Sequence, residues 1–75
     1  MAASKIIIGN TIKLLRKENE IPQQELADRL GIDRQYMWKI EAGKINMTMD
    51  YLDGIIEQIG TSPEEFHNKK SNNNK

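Results

Sequence analysis

The sequence predicts an all-α domain of five short helices around one core. Three observations carry that expectation. Apolar residues recur at helical spacing in several short runs. Glycine or proline punctuates the joints between runs. No stretch alternates apolar and polar residues with the two-residue period of a strand, and there is no internal repeat. With 75 residues the chain holds one domain. At that size the fraction of surface buried on folding is modest.

Ile8, Ile12 and Leu15 predict a first helix from Ser4 or Lys5 to Asn19, with Lys13, Arg16 and Lys17 between them. Ile21-Pro22 breaks it, because the residue before a proline is steered away from helix. A second helix follows over about Gln23–Leu30, with Leu26, Ala27 and Leu30 inward, and Gly31 ends it. Asp33 is a good N-cap for a third helix running to about Ala42, whose inward stripe is Met37 and Ile40 and which Gly43 stops. Thr48 caps a fourth, Met49–Ile59, with Leu52, Ile55 or Ile56, and Ile59 inward and Gly60 beyond its end. Ser62-Pro63-Glu64-Glu65 reads as a capping box opening a short fifth helix anchored by Phe66. The domain is thus expected over residues 1–68, and the polar stretch 69–75 (KKSNNNK) is expected to be a disordered tail.

Composition narrows function. Eleven basic and eleven acidic residues balance to zero, which taken alone argues mildly against a nucleic-acid binder. The distribution reverses that argument. Residues 1–44 carry eight Lys/Arg against six Asp/Glu, whereas residues 45–66 carry five acids and no Lys or Arg. A domain with one basic and one acidic surface can meet a polyanion in one orientation only. There is no cysteine, which suits a reducing cytoplasm and excludes disulfides and thiolate metal sites. The longest apolar run, Ile6-Ile7-Ile8, is far too short to span a membrane, and the start MAASK carries no readable targeting signal.

On a helical wheel with Met37 and Ile40 inward, Gln35, Trp38, Lys39 and Ala42 point outward. Arg34 and Tyr36 lie on the two flanks. Arg can fork onto a guanine edge, Gln onto adenine, and Lys reaches guanine or phosphate. Ala42 leaves room for close approach. Gln23 and Gln24 sit at the amide-rich start of the second helix, suited to a phosphate. Two short helices joined through one glycine make a helix-turn-helix.

Residues 8–60 resemble the Cro and phage-repressor helix-turn-helix family, also called the xenobiotic-response-element type. The matching residues are Ile12-x-x-Leu15-Arg16, Gln23-Gln24-Glu25-Leu26-Ala27, Leu30-Gly31-Ile32 and Met37-x-x-Ile40-Glu41-x-Gly43-Lys44. The resemblance implies a lambda-repressor-like, bacterial or phage transcriptional regulator that binds double-stranded DNA as a homodimer. Its third helix would enter the major groove and its second would cross the backbone. Carried over by position, Arg34, Gln35 and Lys39 would face bases, and Gln23, Tyr36 and Lys44 would contact phosphate. Trp38 would meet the groove wall. Arg16 and Glu41 would pair across the first and third helices. Asp33-Arg34-Gln35-Tyr36 followed by Asn46-Met47-Thr48 also resembles the small controller proteins of restriction–modification systems. Two residues depart from the family pattern: Pro22 replaces a Ser or Thr cap, and Glu20 replaces a glycine in the first turn.

Other chemistries fit less well. Asp50, Asp53 and Glu57 share one face of the fourth helix, but no histidine completes a metal site, so they read as a solvated face. The single histidine, His67, reads as exposed. No nucleophile–base pair and no glycine-rich phosphate loop is present, so neither an enzyme nor a cofactor or small-molecule site is expected. The competing expectation is an antitoxin-like protein-interaction module on the same fold, which the zero net charge favours and the Arg34/Gln35/Lys39 face opposes.

Overall fold

Helix boundaries follow the local chemistry read from the chain. The computed structural model describes residues 3–73. Its helices are α1 (Ala3–Glu18), α2 (Gln23–Leu30), α3 (Arg34–Glu41), α4 (Met49–Ile59) and α5 (Pro63–Asn73), with no strand among the described residues. Gly31 closes α2 at φ 72°, a left-handed conformation that a residue without Cβ adopts cheaply. The Asp33 carboxylate accepts the Tyr36 N–H at 2.7 Å, and the Thr48 hydroxyl accepts the Tyr51 N–H at 3.1 Å, so α3 and α4 begin with satisfied amides.

The expected stripes meet in one core. Ile12 and Leu15 of α1, Leu26 and Ala27 of α2, and Met37 and Ile40 of α3 are fully buried. Leu52, Ile55, Ile56 and Ile59 of α4 and Phe66 of α5 complete the core. Each such aliphatic side chain contributes roughly 1.5–3 kcal/mol relative to exposure. Ile8 and Leu30, expected inward, are only partly buried at its edge, whereas Ile21 in the first turn is buried. Both Ile55 and Ile56 are inside, because α4 packs against α1, α2 and α5 and presents a wide apolar face. In contrast, α3 packs chiefly on α1 and α2, and α5 on α1 and α4.

Two local expectations are corrected. In the capping box, Ser62 Oγ does accept the Glu65 N–H at 3.0 Å, but the Glu65 carboxylate accepts the Thr61 hydroxyl at 2.6 Å rather than returning to the Ser62 amide. The hydroxyl one residue earlier captures the carboxylate. The stretch from Lys69, expected as a disordered tail, continues α5 to Asn73. Phe66 fixes the helix on the core, and Lys69 Nζ reaches Glu18 Oε2 on α1 at 3.0 Å. Asn74 and Lys75 of that expected tail lie outside the described residues.

Candidate nucleic-acid interface

The joint between α2 and α3 is tight. The Gly31 and Ile32 amides donate to the Asp28 and Ala27 carbonyls, and Asp33 then starts α3. One face of α3 is locked inward. Met37 and Ile40 have no exposed surface and Glu41 has 5%. From α1, Gly9 crosses the end of α3 so closely that a Cβ there would lie 2.5 Å from the Ile40 carbonyl oxygen and 2.9 Å from that of Glu41. No larger residue fits that crossing. In the sequence Gly9 is marked only as a lone glycine inside a helical pattern, which does not reveal this crossing.

The other face of α3 is open. Arg34, Gln35, Lys39 and Ala42 are exposed, Trp38 is 54% exposed, and Tyr36 on the flank is 38% exposed. Lys44, just past the helix, is also exposed. These residues put a guanidinium, a carboxamide, an indole and an ammonium on one helix of eight residues. Such a helix is about 12 Å long, close to the ~12 Å width of the major groove of B-form DNA.

Beneath that face runs a chain of hydrogen bonds. Arg16 Nε donates to Glu41 Oε2 at 2.6 Å and Arg16 Nη2 to Glu41 Oε1 at 3.1 Å. Both side chains are buried, at 8% and 3% exposure. Arg16 Nη1 also donates to the Ile21 carbonyl at 2.9 Å, which ties down the first turn. This matters because Glu20 there has φ 57°, the only positive value among the described non-glycine residues, and Pro22 offers α2 no side-chain cap. The two departures from the family pattern thus sit beside an extra tether. Gln23 Nε2 donates to Glu41 Oε1 at 3.1 Å, and Arg34 Nε donates to Gln23 Oε1 at 3.4 Å. Gln23, expected free for a phosphate, is half-buried with both ends of its carboxamide engaged. Gln24 instead bonds Asp28 at 3.0 Å.

Elsewhere the surface is different in kind. Asp50, Asp53 and Glu57 are exposed on α4, and no group of metal-ligating side chains gathers among the described residues. His67 is exposed, its ring edge-on to Phe66 at 5.8 Å. A cleft between α3 and the start of α4 is lined by Tyr36, Asn46, Met47, Thr48 and Tyr51. The Tyr51 hydroxyl is buried without a partner; burial, and secondarily the neighbouring Tyr36, push its pKa above the usual phenol value. No helix of the described residues is long and apolar enough to cross a membrane.

Comparison with known proteins agrees with this fold. A family model described as Helix-turn-helix matches residues 12–66. The chain is 37% identical over 63 residues to the control protein C.MunI from a Mycoplasma species, covering 83% of this chain and 85% of that protein. It is 30% identical over 60 residues to the uncharacterized HTH-type transcriptional regulator y4dJ of Sinorhizobium fredii, covering 80% and 78%. It is also 30% identical over 53 residues to the immunity repressor protein of Bacillus phage phi105, but spans only 37% of that protein's length. Among solved structures, the clp gene regulator ClgR from Corynebacterium glutamicum superposes with a TM-score of 0.85 at 16% identity, over 92% of this chain and 88% of that one. At that identity the likeness speaks to the fold.

Proposed function

The chain belongs to the helix-turn-helix family, and from that premise we propose that it is a sequence-specific DNA-binding transcriptional regulator working as a homodimer. One observation carries the reading. The outward face of α3 gathers Arg34, Gln35, Trp38 and Lys39, all exposed, while the opposite face of the same helix is fully committed to the core. In this proposal α3 enters the major groove, Arg34, Gln35 and Lys39 read base edges, and Trp38 lies along the groove wall. Tyr36 and Lys44 contact phosphate, and Gln23 adds the one amide hydrogen that Glu41 leaves free. The protomers meet through α4, α5 and the Ile45-Asn46-Met47 loop, away from the basic face. Two α3 helices then sit about 34–36 Å apart on one side of the duplex. The 37% identity to a control protein, with the Asp33–Tyr36 and Asn46–Thr48 segments, favours a controller of a restriction–modification system.

The test is selection from random-sequence duplexes, followed by gel shifts at low and moderate salt and by sedimentation. The reading expects an enriched inverted repeat, two protomers bound per duplex, and affinity that falls as salt rises. No enriched sequence, together with a protein partner retained at the α3 face, would favour an interaction module instead. A monomer both free and on a half-site would refute the dimer.

A further inference from the structure

We propose that Gln23 is a positioning residue that sets which edge of the Arg34 guanidinium is offered to DNA. The inference rests on the proposed base-reading role of Arg34. It starts in the core. Arg16 makes two hydrogen bonds to Glu41, one to each carboxylate oxygen, and holds the side chain buried. Both carboxylate oxygens face guanidinium donors and so act as acceptors. Glu41 Oε1 therefore selects the amide end of Gln23, with Nε2 at 3.1 Å. Turning the carboxamide over would set its oxygen against the carboxylate oxygen and lose that bond. The Gln23 carbonyl oxygen is thus directed away from Glu41, and it is this oxygen that faces Arg34 Nε at 3.4 Å.

At 3.4 Å the last bond is at the long end of the range, and it lies at an exposed site. It adds little to stability. Its consequence is directional. With Nε turned to Gln23, the guanidinium presents its two terminal nitrogens, Nη1 and Nη2, to a partner. Paired parallel N–H donors match the O6 and N7 acceptors on the major-groove edge of guanine. A buried ion pair on α1 and α3 therefore sets the donor pattern of the first residue of the exposed helix, through the first residue of α2. A glutamine acting only on phosphate would instead strengthen binding to every sequence alike.

The two roles separate in a mutant cycle on selected duplexes. The parent and Arg34→Ala are first profiled by selection, which locates the base pair that depends on Arg34. Gln23→Met, which keeps length and removes both hydrogen bonds, should then lower guanine preference at that base pair about tenfold. Preference at the other base pairs should stay as in the parent. In the Arg34→Ala and Arg34→Lys backgrounds Gln23→Met should leave the profile unchanged; neither background disturbs the buried pair. Binding is measured well below each variant's melting temperature, so fold loss is read separately. A drop of the same size at every base pair, with guanine preference at the Arg34-dependent pair as in the parent, would overturn the positioning role and leave a phosphate contact alone. A parent that enriches no sequence, or an Arg34→Ala profile identical to the parent's, would overturn the underlying base-reading assignment.

Discussion

The inward face of α3 leaves Met37 and Ile40 no exposed surface and seals Glu41 against Arg16, whereas its outward face leaves Trp38 54% exposed beside Arg34, Gln35 and Lys39. Eight residues carry both faces. The inward set fixes the helix in place through apolar contact, the Gly9 crossing and a two-pronged ion pair. The outward set makes few bonds within the chain; the Arg34–Gln23 contact is the long exposed one. The difference teaches that a locked, buried set and an exposed polar set can occupy opposite sides of one short helix. Substitutions on the two sides should therefore affect different measurements.

The largest effect is expected inside. Glu41→Gln leaves the Arg16 charge buried and uncompensated, and should lower stability by about 3 kcal/mol or more in a urea titration. Met37→Ala, which opens a hole in a fully buried site, should cost about 2–5 kcal/mol by the same titration. Arg34→Ala, across the helix, should leave the melting curve in place and weaken operator binding by roughly 1–3 kcal/mol, measured by gel shift. An Arg34→Ala protein that melts early would break the division between the faces. The smallest expected change sharpens it. Glu20→Gly relieves a left-handed residue and should raise stability by about 1 kcal/mol, with operator affinity unchanged at temperatures where both proteins are folded.

Much of this was legible in the chain. Gly31, Asp33, Thr48, Gly60 and Ser62 mark helix ends because each satisfies or frees specific backbone groups, and those effects are local in sequence. The inward stripe of α3 was legible because period and spacing define a face. What depended on long-range approach was not. Nothing near Gly9 in sequence reveals that the α3 carbonyls lie against it, and nothing near Gln23 reveals that Glu41, 18 residues away, will take its amide. In the sequence Ile21 is legible only as the residue before a proline, yet its side chain is buried and its carbonyl accepts from Arg16. The extension of α5 past Lys69 was hidden for the opposite reason. Its composition is polar, and the Lys69–Glu18 bridge that helps hold it to α1 links residues 51 apart in sequence.

Trp38 gives the most direct test that the outward face of α3 meets DNA, because it is the only tryptophan in the chain and sits in the middle of that face. Its fluorescence should be titrated with the selected operator at several salt concentrations. Free protein should emit at long wavelength, as a half-exposed indole does. Operator should shift the emission to the blue or quench it, saturating at two protomers per duplex, and the change should fade as salt rises because phosphate contacts release counterions. Operator binding that leaves the Trp38 emission unmoved would place the DNA on another surface and contradict the account.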